Sequence, residues 1–278
     1  MAFAIGESLP VYEVVANNYG AAHANKIHSD EGAAEHGFAA ALVPGVAMYA
    51  YLTRPLVNAL GKDWLARGTM AAKFIHPVYD AEAVRVESNV TSIEPLSFDL
   101  RLLDSANKLR AIGTASLHVE TQDFASLQPD PRDYPSRVLP PENARWPATI
   151  ASVNAGDVFG SLEFHLDLAG QAEFLDNMVD GSPLYRGANA VCHPAFWIAQ
   201  ANEIFMQNFA LGMWIHTASE TQHYALADDG ERLTMRGRVA ESYERKGHEI
   251  VTADLAIFGE ADRVIAHIKH SAIIRLKT

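Results

Sequence analysis

The chain has 278 residues, 49% of them apolar, enough to bury the core of one large domain or of two ordinary ones. Its 22 Lys and Arg stand against 34 Asp and Glu, a formal net charge of −12, which argues against nucleic-acid or anionic-membrane partners because both need basic patches. A single cysteine, Cys192, excludes an internal disulfide; the opening MAFAIGESLPVYEVV lacks a secretory signal's basic start and apolar run, and no stretch of about 18 apolar residues could cross a bilayer, so a cytoplasmic protein is expected.

The first distinctive stretch is HANKIHSDEGAAEHGFAAALVPG, residues 23–45, which sets His23, Asn25, His28 and His36 just ahead of the most apolar segment. Pro44-Gly45 suits a first helical turn, and Val46 to about Leu60 is predicted to be helical and apolar nearly all round, with Pro55 inside. Residues 82–93 then alternate apolar and polar with a period of two, and 97–104 and 109–119 follow as further strands. Between Pro129 and Pro147 lie six of the chain's 13 prolines. Proline lacks a backbone N–H and disfavours helix at the preceding residue, so 121–150 is read as an extended surface connector without a long helix. It separates a unit over 1–120 from a second over 151–278.

The second unit reads like the first. A polar lead-in carries Asp176, Asn177, Tyr185, Arg186, Cys192 and His193; a helix is predicted from Ala195 to about Leu211; strands are predicted over 231–242, 249–259 and 264–276. Pro44 and His193, Asp80 and Asp229, and Val90 and Val239 all keep one offset of 149 residues. A constant offset across a helix start and two strand features indicates duplication. One apolar helix followed by antiparallel strands places the helix in a curled sheet. The expected fold is therefore α+β: two long helices, each wrapped by an antiparallel sheet, with the two sheets joined edge to edge.

The stretch HANKIHSDEGAAEHGFAAALVPG resembles the signature of MaoC-like, (R)-specific enoyl-CoA hydratases of the hot-dog superfamily. Their pattern is Asp-x-Asn-Pro-(Leu/Ile/Val)-His, then five residues, then Ala or Ser; Asn25, Ile27, His28 and Ala34 fall on matching positions. FIHPVYDAEAVRVESNV is similar to the family's Pro-Val-x-x-Gly-Asp segment, with Asp80-Ala81-Glu82 where Gly-Asp is usual. The resemblance covers about residues 5–120 and implies a double hot-dog chain. It further implies a hydratase or dehydratase acting on an enoyl or 3-hydroxyacyl thioester, or on a related α,β-unsaturated carbonyl compound. The family's catalytic Asp falls on His23 and its Pro on Lys26. In the family the Asp and His hold the water that adds to the double bond, so His28 would be the acid/base, with His23 and Asn25 holding water. Gly45, behind Pro44, would bind the carbonyl. The expected partner is a small-molecule substrate on CoA or a carrier protein, in a homodimer or larger homo-oligomer, with no cofactor.

The residue chemistry agrees with these roles without requiring them. Histidine near neutral pH can serve as base or as proton donor. Asn25 can position a carbonyl or fix the tautomer of His28. A backbone N–H at Gly45 would point out with the positive end of the helix dipole, a natural place for a developing oxyanion. No HExxH and no Cys/His pairing has zinc-ligand spacing, so no metal site is expected. Tyr185 and His193 are candidate substrate contacts in the second lead-in, which is either a second site or a degenerate one that shapes an acyl tunnel. Two other function classes stay open. One is a hot-dog thioesterase, with Asp176 or Asp180 driving water. The other is a non-catalytic acyl-binding protein, favoured by the missing Asp. The charged ESYERKGHE (241–249) reads as a solvated hairpin or a phosphate contact. His216 and Ser219 in WIHTASE, with His267 and His270 in HIKH, alternate between strand faces and are not expected to form one cluster.

Overall fold

The structure, a computed structural model, describes residues 3–22, 25–118, 124 and 126–277. The first half holds β1 (Tyr12–Val15), α1 (Asp30–Glu35), α2 (Gly45–Leu60), α3 (Lys62–Arg67), β2 (Gly68–Phe74), β3 (Ala83–Ile93), β4 (Leu96–Asp104) and β5 (Leu109–Leu117). After β6 (Trp146–Pro147) the second half repeats the plan with β7 (Leu162–His165), α4 (Ala172–Asn177), α5 (Pro194–Asn208), β8 (Phe209–Ala210), β9 (Ile215–His223), β10 (Arg232–Arg245), β11 (His248–Phe258) and β12 (Val264–Arg275).

Ten strands form one sheet in the order β1-β3-β4-β5-β2-β9-β12-β11-β10-β7. The order reads as the same five-strand sequence from either end. The halves meet where β2 pairs antiparallel with β9, from Thr69 opposite Gln222 to Lys73 opposite Ala218. The sheet wraps α2 and α5, which also touch each other inside it. Residues Val46 to Thr53 of α2 are all buried, and Trp197, Ile198, Ile204 and Phe205 of α5 join the same core. A helix enclosed on most sides needs no polar face, which explains the nearly continuous apolar run. Gly61 ends α2 with its N–H on the Val57 carbonyl, 2.9 Å away, and takes φ +60°, ψ −141°, a backbone conformation that glycine adopts freely and other residues rarely do.

The 149-residue offset has physical content. β3 bulges after Val90 and β10 after Val239. The Gly6 N–H donates to the Val90 carbonyl (2.9 Å), as the Gly156 N–H does to that of Val239 (2.8 Å). Asp80 accepts from the Asn18 N–H and Asp229 from the Leu168 N–H, each at 2.8 Å. Glu82 caps the Tyr79 N–H and pairs with Arg110, while Glu231 caps the Asp228 N–H and pairs with Arg263.

Some elements differ from expectation. The second helix stops at Asn208 rather than near Leu211, because the Asn208 amide accepts from the Gly160 N–H (2.6 Å) and donates to its carbonyl (3.0 Å). The chain then turns into β8, which pairs with β6. Among the described residues of 121–150, Phe124 and Ser126 are helical, and three-residue turns lie at Pro131–Asp133 and Glu142–Ala144, with another starting at Ile150. The segment is more than a spacer: Tyr134 is buried against Phe258 and donates to Asp254 Oδ1 at 2.9 Å. ESYERKGHE is a two-residue hairpin, with Lys246 (φ +55°) and Gly247 (φ +83°) at its tip.

Candidate active site

The lead-in to α2 is stitched to its surroundings by backbone bonds. The Leu42 N–H donates to the Ile27 carbonyl (3.2 Å) and the Val43 N–H to that of Val78 (2.9 Å). Asn25 caps the short turn Lys26–His28, and its Nδ2 donates to the Trp214 carbonyl at 2.9 Å. That buried amide therefore ties the first-half motif to the strand that opens the second half's core. His28 is half-buried, and its Nδ1 lies 2.7 Å from the Leu42 carbonyl. A carbonyl can only accept, so Nδ1 carries the proton and Nε2 is the basic nitrogen of the neutral ring. The ring lies over Gly20, where a Cβ would come within 2.7 Å of His28 Cγ. Asn18 Nδ2 holds the His28 carbonyl at 2.9 Å.

A cavity of about 1100 Å3 opens between the halves. Asn25, His28, Pro44, Gly45 and Phe74 line it from the first half, and Phe174, Phe196, Asn202, Met206 and His216 from the second. Gly45 begins α2, so its N–H is among those with no intrahelical partner. A Cβ there would meet His216 Nδ1 at 2.7 Å and Phe74 Cε2 at 2.9 Å. The sequence-derived candidates His28, Asn25, Pro44 and Gly45 thus share one wall. His23 lies outside the described residues.

Tyr185 and His193 do not reach this wall. They sit in the second lead-in, Tyr185 beside a separate hollow of about 770 Å3. The His193 ring caps α5: Nδ1 accepts from the Ala195 N–H (3.1 Å), so Nε2 bears the proton and faces Asp180 Oδ2 at 3.3 Å. Burial first, and the Arg54 charge second, push its pKa down to about 3, so the ring is neutral. Arg54 of α2 closes the group with an ion pair to Asp180. Neither carboxylate weighed for a thioesterase lines the large cavity: Asp180 is held in this knot, and Asp176 pairs with Arg186 at the surface. The carboxylates on that wall are Asp167, Glu173 and Glu203.

Two features were missed in the sequence. SPLY (182–185) occupies the place of NKIH (25–28): Ser182 caps its turn as Asn25 does, and the Leu184 carbonyl accepts from the Val191 N–H (3.1 Å) as that of Ile27 does from Leu42. By sequence this second copy, with Asp180 just ahead of it, keeps the motif's Asp and Pro, where the first keeps its Asn and His. The second feature corrects the expectation that the strand histidines stay apart. His216 Nε2 lies 2.8 Å from Ser219 Oγ, which lies 2.9 Å from His270 Nδ1, and the two rings stack at 4.2 Å. A bulge at Thr217, where the pairing of β9 with β12 jumps from Ala218 to His216, puts His216 and Ser219 on one face. His267 alone points outward, to Asp254 and Tyr134.

No family model matches the sequence, and no curated protein does. Solved structures match over nearly the whole length. A MaoC domain protein from Chloroflexus aurantiacus J-10-fl, provisionally described as a dehydratase, aligns over 99% of this chain and 96% of its own, with TM-score 0.66 and 10% identity. A conserved hypothetical protein from Mycobacterium tuberculosis with a double hot-dog fold aligns over 98% and 96%, with TM-score 0.61 and 14% identity. A Lactobacillus plantarum protein provisionally described as an oleoyl thioesterase aligns over 98% and 97%, with TM-score 0.54 and 10% identity. The chain is thus a double hot-dog protein, with the fold shared by MaoC-like dehydratases and by acyl thioesterases. Among the described residues no helix is long and apolar enough to cross a membrane.

Proposed function

We propose that the protein is a hydro-lyase that adds water to, or removes it from, an enoyl or 3-hydroxyacyl thioester. The observation that carries this reading is the shared wall. His28, its tautomer set by the Leu42 carbonyl, and the N-terminus of α2 at Gly45 face one cavity large enough for an acyl chain. With the thioester carbonyl at the Gly45 N–H, the enolate oxygen formed on water addition meets a backbone donor and the positive end of the helix. His28 Nε2 takes the proton from water and delivers it to the α-carbon. Asn25 acts as a positioning residue, because its amide holds the Lys26–His28 turn against Trp214. The dehydratase-described neighbour supports this reading at the level of fold.

The thioesterase reading now rests on Glu203, a cavity-lining carboxylate of α5 whose Oε1 accepts from Gln207 Nε2 at 2.6 Å. One pair of assays separates the two. Crotonyl-CoA is followed by loss of enoyl absorbance and, in parallel, by release of free thiol. Hydration that falls roughly 10²–10⁴-fold in His28→Ala, with the melting temperature unchanged, supports the hydro-lyase. Thiol release that survives His28→Ala and is lost in Glu203→Gln establishes the thioesterase. Binding with neither reaction leaves an acyl-binding protein.

A further inference from the structure

We propose that His216 is a second catalytic residue of this site, whose Nδ1 lone pair accepts a hydrogen bond from the reacting water. The inference rests on the hydro-lyase reading. It answers a gap in the first-half motif, which has a histidine where the resembled family carries a carboxylate. That carboxylate's task is to accept from water, and a neutral imidazole with a bare, directed nitrogen can perform it.

The placement is built, not incidental. His216 stands at the start of β9, only 7% exposed, and lines the cavity that holds His28. The rings of Phe74 and His216 lie nearly perpendicular, 4.8 Å apart at 86°, and His270 stacks on His216 at 4.2 Å. Residues on either side of this strand start are tied to the His28 lead-in. Trp214 takes the Asn25 amide bond, and Ile215 packs on the cluster of Ile27 and Leu42. The two histidines are thereby fixed relative to one another by backbone, not by loops free to move.

Direction follows from proton counting. The Ser219 hydroxyl has one proton to give and sits between His216 Nε2 and His270 Nδ1. Either His216 Nε2 donates to Ser219 and Nδ1 is bare, or Ser219 donates to Nε2 and His216 Nδ1 carries the proton. The surroundings choose the first. A Cβ built on Gly45 would lie 2.7 Å from His216 Nδ1, so this nitrogen borders the positive end of α2. A lone pair suits that contact and an N–H opposes it. The nitrogen is buried and has no hydrogen-bond partner among the described residues. Such an acceptor is rare unless a water or ligand completes it. Burial pushes the ring's pKa down to about 3, which leaves the lone pair bare throughout the physiological range. Glycine at 45 keeps the nitrogen from being capped by a side chain.

The step then balances. Water's oxygen bonds to the β-carbon as His28 Nε2 takes one of its protons. The carbon–carbon π pair moves to the enolate, whose oxygen faces the Gly45 N–H. The imidazolium of His28 returns its proton to the α-carbon. The other O–H, held by His216 Nδ1, remains as the new hydroxyl.

The test compares His216→Phe, which keeps the ring's shape and loses the lone pair, with His216→Asn, which keeps an acceptor. With crotonyl-CoA and a longer 2-enoyl-CoA, the Phe variant should lose on the order of 10²-fold in kcat and the Asn variant should recover about tenfold of it. Ser219→Ala, which frees the tautomer, should lower kcat with KM unchanged; His267→Gln, on the outer face, should leave turnover alone. Nitrogen NMR of the histidines in the full-length protein supplies a readout that needs neither turnover nor a folded Phe variant: His216 Nε2 should be protonated and Nδ1 bare. A protonated Nδ1 overturns the inference. So does wild-type turnover in His216→Phe when His28→Ala is inactive, and the hydro-lyase reading then survives. If the wild-type protein hydrates neither thioester, that reading fails and takes the inference with it.

Discussion

The two lead-ins occupy equivalent places in the sheet and have been put to opposite uses. In the first, a turn capped by Asn25 presents His28 to a cavity. In the second, a turn capped by Ser182 places Tyr185 where His28 would be, and Gln171 Nε2 takes the carbonyl of Val191 (3.1 Å), the counterpart of the Leu42 carbonyl that fixes His28. Asp180, Arg54 and His193 then fill the interior with a closed polar knot. Duplication thus supplies two helix N-termini of the same geometry, and the side chains around each decide whether it faces a cavity or a salt bridge. The closed copy also joins the halves, since Arg54 comes from α2 and Asp180 from the second unit.

The largest effect should come from breaking that knot. Asp180 is 4% exposed and the Arg54 side chain 17%, so removing one partner strands a buried charge. Arg54→Met should cost about 3–5 kcal/mol in urea unfolding, and Arg54→Met with Asp180→Leu should regain most of it. Turnover per folded molecule should hardly change, because neither residue lines the large cavity. A comparable loss of kcat would mean that the second copy takes part in the chemistry. Next in size, Gly45→Ala drives a methyl toward His216 and Phe74 at the open copy's helix start. A displacement approaching 1 Å there should reduce kcat/KM on the order of 10²-fold.

Acid should weaken the fold through histidines in both regions. Burial holds His193 and His216 at about 3 and His223 at about 4, and holds His270 well below its ordinary value. In the unfolded chain each binds a proton near 6.5. As pH falls below that value the unfolded state gains protons that the folded state refuses. The stability these neutral rings allow is therefore complete above about pH 6.5 and is lost as pH drops toward 4. Each fully mismatched histidine removes about 1.4 kcal/mol per pH unit. Urea midpoints should decline between pH 7 and 5, and His223→Phe should flatten the decline; a level profile would contradict neutral burial.

How much of this was legible follows from chain geometry. Period-two alternation located β3 and the first part of β10 closely, because each buries one face there. The 149-residue offset was readable because Val90 and Val239 both mark bulges and Asp80 and Asp229 both take a backbone N–H. The second motif copy was hidden because NKIH and SPLY are 157 residues apart, not 149, as the first lead-in is eight residues longer and holds α1. The His216–Ser219–His270 group was hidden because strict alternation puts residues three apart on opposite faces, and only the Thr217 bulge returns Ser219 to the side of His216. A one-residue slip in one strand is invisible to composition and spacing, yet it changes which side chains can meet.

The smallest predicted effect is the finest test of the comparison. Asp80 and Asp229 hold equivalent N–H groups, each at 2.8 Å, so Asp80→Ala and Asp229→Ala should each cost roughly 1 kcal/mol in urea unfolding. Their kinetic consequences should differ. The N–H that Asp80 holds belongs to Asn18, and Asn18 Nδ2 in turn holds the His28 carbonyl at 2.9 Å. The N–H that Asp229 holds belongs to Leu168, which is apolar and carries no tie to a reacting group. Loosening Asp80 therefore loosens the turn that aims His28, and crotonyl-CoA turnover should fall a few-fold with KM nearly constant. Loosening Asp229 should leave both constants alone. Matching kinetic losses in the two variants would show that the second lead-in works alongside the first.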